Sequence, residues 1–272
     1  MKIFITGSTG FIGQNLVKYY ADHEVFEFKR DQVLITELIK FEPDVVINTA
    51  AEIYDHQNMI VPNVVHVYTI LEYVKNAKQQ VRMIQIGSSA EYGPTDHATN
   101  EDTLPKPVDF YQGTKAAATM MCQGWAREFN LPVWIARPYS VYGPGEREHR
   151  LFPRLYRAFV HNEPMTLYQG YHDFIYIDDF VRGIDLMLTT WRLAPGEIVN
   201  FGSATQISNF DLLTVWEMIT NKTAPVAKVS ELKKAFENNI WVCDPAKSDR
   251  LGFVCEYNLE NGIRNFLEKA SY

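Results

Sequence analysis

The sequence predicts an α/β chain, a doubly wound parallel sheet followed by a smaller C-terminal α/β lobe. Three observations carry that expectation. Short apolar stretches alternate with amphipathic stretches of helix length through the first half of the chain. A glycine-rich turn joins the first apolar stretch to the first amphipathic one. After about residue 143 the rhythm gives way to prolines, aromatics and mixed charge.

Residues 2–6 read as a buried strand, glycines follow, and 11–21 shows helical spacing. Strands are expected at 25–28 and 44–48, with a helix at 33–41 between them. The stretches 63–77 and 111–129 read as long helices, each followed by a strand, at 83–86 and at 133–136. The second of these strands ends in Arg137-Pro138. Strands separated by helices of this length are joined by right-handed crossovers and lie parallel, covered on both faces. Such a sheet binds ligands beyond the carboxyl ends of its strands, where strand order reverses. Helical spacing returns at 179–190, and shorter elements fill the chain from about 197. The expected organisation is a dinucleotide-binding core over 1–145, rejoined by part of 173–203, and a mainly substrate-binding lobe over 146–272.

Composition narrows the function classes. The 272 residues are 46% hydrophobic and 22% charged, enough for a sizeable ordered core. The formal net charge of −7 argues against nucleic-acid binding, which needs clustered Lys and Arg. No apolar run approaches the roughly 20 residues of a membrane helix. The opening MKIFITGSTG has one lysine before it turns into glycines, unlike a secretory leader. Cys122, Cys243 and Cys255 lack metal-ligand spacing. Reduced thiols, a cytoplasmic location and no metal site are therefore expected.

Thr6-Gly7-Ser8-Thr9-Gly10-Phe11-Ile12-Gly13 spaces its glycines as G-x-x-G-x-x-G between strand and helix. Gly7 permits a tight turn, Gly10 a close approach of backbone to a pyrophosphate, and Gly13 close packing of helix on strand. The phosphates would meet free N–H groups at the helix N-terminus, offered by Gly7, Thr9, Gly10, Phe11, Ile12 and Gly13. Selectivity for NAD asks for an acid at the end of the second strand. Here the chain reads Glu27-Phe28-Lys29-Arg30-Asp31. Lys29 and Arg30 suit a 2′-phosphate and favour NADP over NAD, Asp31 is the alternative acid, and a merely solvated charged loop is the competing reading.

Tyr111 and Lys115 stand at i and i+4, on one helix face. That spacing arises by chance in a chain of this size. Its place, opening a helix just before the strand that ends at Arg137-Pro138, makes it informative. A free phenol has a pKa of about 10, too high for a base at neutral pH. A nearby ammonium and an oxidised nicotinamide both favour phenolate, which would let Tyr111 exchange a proton with a hydroxyl while hydride moves to or from the adjacent carbon. Lys115 would also hold the nicotinamide ribose. In Gly87-Ser88-Ser89-Ala90-Glu91-Tyr92-Gly93, Ser88 or Ser89 is placed to hydrogen-bond the reacting oxygen, a Ser-rich turn capping a strand being the alternative.

These residues together resemble the extended short-chain dehydrogenase/reductase superfamily, in its NAD-dependent epimerase/dehydratase branch, which implies a Rossmann-like core. The similarity runs over nearly the whole chain. It takes in the glycine turn and Val45-Val46-Ile47-Asn48-Thr49-Ala50-Ala51, which looks like the strand before the adenosine site. Asn63, the serine segment, Tyr111, Lys115 and Arg137-Pro138-Tyr139-Ser140-Val141-Tyr142-Gly143-Pro144 follow in the family's order. So do His172-Asp173-Phe174, Asn200-Phe201-Gly202-Ser203, and Leu251-Gly252-Phe253 before Leu259-Glu260-Asn261-Gly262. The resemblance implies an enzyme with Ser88, Tyr111 and Lys115 catalytic, Ala50, Ala51 and Pro138 on the cofactor, and a nucleotide sugar as substrate. It also implies a homodimer through the helices at 63–77 and 111–129.

The departures bear on the reaction. Dehydratases of this type carry Glu two residues before the tyrosine of the serine segment, where Ala90 stands. Ring-carbon epimerisation uses Cys at that position and a later His, and His149 appears one residue out of register. Two outcomes remain: reduction of a 4-ketone, or 4-epimerisation by oxidation and re-reduction on one bound cofactor. A non-catalytic dinucleotide-binding sensor or scaffold is the reading from another class. In the lobe, Ser140 replaces the usual Asn and His172 the usual Arg, and the segment 238–244 lacks a late phosphate-gripping Arg. Ser89, Ser140, Arg147, Arg150 and His172 are the candidate substrate contacts, with Arg154 also available for a diphosphate.

Overall fold

The computed structural model describes residues 1–190, 193–230 and 240–272. The first half runs β1 (Lys2–Thr6), α1 (Phe11–Tyr19), β2 (Glu24–Glu27), α2 (Leu34–Phe41), β3 (Val45–Asn48), α3 (His66–Asn76), β4 (Arg82–Ile86), α4 (Phe110–Phe129) and β5 (Val133–Pro138). The remainder adds β6 (Ser140–Tyr142), α5 (Leu151–His161), β7 (Met165–Tyr168), β8 (Tyr171–Tyr176), α6 (Ile177–Thr189) and β9 (Ile198–Phe201). It ends with β10 (Gln206–Ser208), α7 (Asn209–Thr220), β11 (Val226–Ser230), α8 (Ala246–Leu251) and α9 (Leu259–Lys269).

The main sheet has the order β2-β1-β3-β4-β5-β9, and every pair in it is parallel. Period-2 alternation explains how both faces are covered. Ile3, Ile5, Val45, Ile47 and Ile84 point to one side, into a core with Leu16 of α1 and Phe180 and Ile184 of α6. Phe4, Val46 and Met83 point to the other, against Leu38 of α2, Ile70 and Leu71 of α3, and Ala118 and Cys122 of α4. The doubly wound α/β fold expected from the sequence is present. Strand order reverses at β1, between β2 and β3, so the crevice lies above the glycine turn.

A buried polar ladder crosses the carboxyl edge of this sheet. Thr6 Oγ1 donates to Asn48 Oδ1, Asn48 Nδ2 to Gln85 Oε1 at 2.7 Å, and Gln85 Nε2 to the Ile86 carbonyl at 3.0 Å. Each group has its partner, as burial demands.

The second half builds a lobe from a β10-β8-β6 sheet and the parallel pair β11-β7. Tyr142 stacks on Phe152 with centroids 4.0 Å apart, and Phe152 packs edge-on to Phe174 and Trp216. The buried Asp173 carboxylate accepts from the Ser203 amide at 2.6 Å and hydroxyl at 2.8 Å, and from the Ala204 and Cys243 amides. That single side chain pins the chain after β9 and the approach to α8 onto β8. The return to the core is made by α6 and β9.

Most boundaries lie within a few residues of expectation, the usual latitude. The helix expected over 63–77 differs in kind: it opens as a π-helical turn, Val61–Val65, before α3. Pro62 lies in that turn and brings no N–H to the ladder. Of the segment 238–244, residues 238 and 239 lie outside the described residues.

Candidate active site

The glycine turn sits at the carboxyl end of β1. Gly7 has φ +67°, and a Cβ there would stand 2.8 Å from the Ala50 amide nitrogen. A Cβ at Gly13 would stand 2.1 Å from the Gly7 carbonyl oxygen. Gly10 caps α1 and offers it no side-chain acceptor, and the first turn of α1 has no acidic residue. The first N–H groups of α1 are thus left to an external acceptor, with the dipole favouring an anion. Ser8 Oγ beside them is buried without a hydrogen-bond partner among the described residues. Phe11 and Ile12 are half-buried on the same turn, while Thr9 is exposed. Ala50 and Ala51 follow β3 into the crevice, with the Ala50 amide donating to Thr6 Oγ1 at 3.3 Å. These features fit the pyrophosphate of a dinucleotide.

The loop after β2 bears Lys29 and Arg30, both exposed. Lys29 Nζ pairs with Glu27 at 3.1 Å, and Arg30, 89% exposed, lies 4.0 Å from Glu52. Asp31 is exposed in the same loop.

Tyr111 and Lys115 stand on the first turns of α4, which Asp109 caps by accepting from the Gln112 amide at 2.8 Å. Tyr111 is half-buried, the Ser88 side chain acts on its phenol, and the Ser88 hydroxyl accepts from the Ala90 amide at 3.2 Å. Burial pushes the Tyr111 phenol up to about 12; the Ser88 side chain opposes this, Glu91 adds to it, and Arg150 opposes it. Lys115 is 3% exposed, and its ammonium donates to the Ile86 carbonyl. Burial lowers the Lys115 pKa, with Glu91 holding it up. Since Ile86 O also accepts from Gln85, Lys115 hangs from the end of the polar ladder. Pro138 closes β5 nearby, buried and paired in register with Phe201.

The lobe contributes a ring of polar groups. Arg150 begins α5, and its Nε donates to Glu146 at 3.1 Å. Its guanidinium also acts on Tyr111 and on His172. His172 Nδ1 lies 3.1 Å from Ser140 Oγ, so these two candidates partner each other, and burial lowers His172 to about 4. His149 Nε2 lies 2.8 Å from Tyr54 Oη. Arg147 is exposed at the rim. Ser89 is turned into a small cavity with Tyr92, Thr99 and Tyr139, leaving Ser88 as the serine at Tyr111. Arg154 is diverted from the site, since it donates to the Thr166 carbonyl of β7.

Several residues of this neighbourhood escape a sequence reading. Glu91 is wholly buried and accepts from Arg137 Nη2 at 2.7 Å and from the Ser88 amide at 2.8 Å. Glu146 is buried under Arg150, and Tyr54 faces His149. The advance signal for Glu91 was an acidic residue in the turn Gly87-Ser88-Ser89-Ala90-Glu91-Tyr92-Gly93 that closes a buried strand. Asn63, matched by order alone, holds the loop after β3 by accepting from the Glu52 amide at 2.8 Å and reaches α4 by donating to Thr114 Oγ1 at 2.9 Å.

The sequence pattern of the NAD dependent epimerase/dehydratase family matches residues 3–202. The chain belongs to that family. This epimerase/dehydratase chain is 25% identical to the low-salt glycan biosynthesis protein Agl12 of Haloferax volcanii, over 97% of this chain and 96% of that one. It is 26% identical to a probable dTDP-glucose 4,6-dehydratase of Sinorhizobium fredii, over 98% and 92%. Among solved structures, a UDP-glucuronic acid 4-epimerase from Bacillus cereus in complex with UDP-glucuronic acid and NAD superposes with a TM-score of 0.87 at 25% identity, covering 99% of this chain and 98% of that one. The family assignment makes this chain an enzyme of the extended short-chain dehydrogenase/reductase type. Among its described residues, no helix is long and apolar enough to cross a membrane.

Proposed function

We propose that the chain reduces the 4-keto group of a nucleotide sugar, Tyr111 delivering the proton to the carbonyl oxygen. The observation that carries this is the placing of Tyr111 one turn from Lys115, whose ammonium is held at the Ile86 carbonyl just before the Ser88 turn, at the sheet edge that also bears the glycine cradle. A nicotinamide dinucleotide in that cradle supplies the hydride. Ser88 donates a hydrogen bond to the ketone and polarises it. A phenol pushed up to about 12 is a neutral proton donor across the physiological range, the form that reduction requires. Lys115 reaches the cofactor ribose from its place at the Ile86 carbonyl, and Pro138 closes the wall beside it.

The relatives named for UDP-glucuronic acid and dTDP-glucose support a nucleotide sugar. Arg150 and Arg147 would meet its diphosphate or another anionic group, and neutral His172 with Ser140 would meet hydroxyls. Two features speak against dehydration. Ala90 stands where a dehydratase acid is expected, and the adjoining Glu91 carboxylate is turned into the interior. For the dinucleotide, exposed Lys29 and Arg30 after β2 suit a 2′-phosphate and favour NADP, with Asp31 the alternative acid, whereas the solved neighbour carries NAD.

The structural likeness to a 4-epimerase favours one second reading, inversion on a retained cofactor. Incubating the purified chain with NADPH or NADH and a panel of UDP- and dTDP-linked 4-keto sugars separates the two. Net oxidation of NADPH, with NADH slower by about tenfold, supports reduction. NAD retained through purification, with inversion of UDP-glucose or UDP-glucuronic acid and no net oxidation, supports epimerisation. No response to any dinucleotide overturns both.

A further inference from the structure

Glu91 acts on both Tyr111 and Lys115, yet it is wholly shut off from solvent. Its two oxygens are divided. Oε1 accepts from the Ser88 amide at 2.8 Å, and Oε2 accepts from Arg137 Nε at 3.0 Å and Nη2 at 2.7 Å. The Glu91 backbone binds the same turn, since its amide donates to the Ser88 carbonyl at 3.1 Å and its carbonyl accepts from the Lys106 amide at 3.1 Å. Ser88 is therefore held through both its N–H and its C=O by one residue. Gly87 makes room for this, because a Cβ there would stand 2.7 Å from Glu91 Oε1 and 2.9 Å from Arg137 Cγ.

Behind the carboxylate, Arg137 lies 4.6 Å over the Tyr92 ring, and Tyr92 Oη donates to Asn200 Oδ1 at 2.8 Å. The Ser88 turn is thereby tied to the paired strands β5 and β9. The ionisable groups that face Glu91 are Arg137 of β5, Tyr92 of its own turn, and Tyr111, Lys115 and Cys122 of α4. Its charge favours the ammonium of Lys115 and the neutral phenol of Tyr111.

We infer that Glu91, backed by Arg137, is a positioning residue: it fixes the backbone of Ser88, and so the place of its hydroxyl, and sets a carboxylate paired with Arg137 behind the site of Tyr111 and Lys115. The inference rests on the proposed roles of those three residues. Misplacing a reacting group by about 1 Å costs on the order of a hundredfold in rate without loss of binding.

The test uses full-length Glu91→Gln, the double variant Glu91→Gln/Arg137→Met, Ser88→Ala and Tyr111→Phe. The double variant removes the cation that the single one strands, so its fold survives if the pair serves structure alone. Turnover is followed with NADPH and UDP-4-keto-6-deoxyglucose. Tyr111 is titrated with oxidised cofactor bound, from the ultraviolet difference between each protein and its Tyr111→Phe counterpart. Both Glu91 variants are expected to lose about a hundredfold in kcat with KM within about threefold. Their Tyr111 midpoint is expected to fall, because a negative charge that disfavours phenolate is gone. A double variant with wild-type kcat and an unmoved Tyr111 midpoint overturns the positioning role while leaving the site intact. Full turnover in Ser88→Ala and Tyr111→Phe would instead overturn the reading of the site itself.

Discussion

At position 146 a carboxyl with a 6% exposed side chain sits beside Arg150, one oxygen paired at 3.1 Å and the other without a partner among the described residues. Burial raises it from 4.5 to about 7, with Arg150 opposing. A carboxyl with a raised folded pKa contributes most to stability below 4.5, and that contribution is lost as pH rises through 7. At 1.36 kcal/mol per unit the loss approaches about 3 kcal/mol. Glu146→Gln stays neutral, so urea unfolding at about pH 8 should show it more stable than the parent by up to that amount, the gap closing below about pH 5. An equal gap at both pH values would show that ionisation of Glu146 has no part in it. At this scale legibility follows sequence separation. Tyr111 and Lys115 are one helical turn apart, and the three glycines of the turn fall within eight consecutive positions from Thr6, so local spacing reveals both. Glu91 and Arg137 are 46 residues apart, and Tyr92 and Asn200 are 108 apart. Only the strand order brings those partners together.

The first β-α unit shows how an element carries the site. Gly13 lies where α1 crosses β1, and a methyl there would meet backbone, the Gly7 carbonyl at 2.1 Å and Ser8 Cα at 2.8 Å. Backbone cannot rotate aside as a side chain can. Gly13→Ala should therefore lift α1 from β1, cost about 1–3 kcal/mol in unfolding experiments, and abolish dinucleotide binding by calorimetry. Unimpaired binding would mean that the turn does not cradle the cofactor. Elements of the first half were legible because contiguous apolar runs mark strands buried on both faces and helical spacing marks the helices. The π-helical turn Val61–Val65 was not, since its apolar residues satisfy helical spacing equally well. The lobe strands β6 and β10 have 3 residues each, too few for any period to emerge.

For the whole molecule, α3 and α4 cover one face of the sheet, and Tyr68 and Met120 on them, with Val61 and Val65 of the π-helical turn before α3, are exposed. Their apolar character agrees with the proposed pairing of two copies through these helices. Tyr68→Glu should shift sedimentation from dimer to monomer at micromolar concentration, and a monomeric parent would remove the pairing from the account. The doubly wound order was readable as a class from the alternation of strands and helices. The assembly of the crevice was not, because Tyr54, His149, Arg150, His172 and Tyr111 come from loops and elements far apart in the chain. The central claim is that hydride and proton reach one sugar carbonyl at this crevice, the proton from Tyr111. It is tested most directly by supplying NADPH deuterated at the nicotinamide C4 position together with a UDP-linked 4-keto sugar, and locating the label by NMR. The account predicts one deuterium at sugar C4 with the parent enzyme, and a rate at least a thousandfold lower with Tyr111→Phe despite unchanged cofactor affinity. Product without label at C4, or undiminished transfer by Tyr111→Phe, would contradict it.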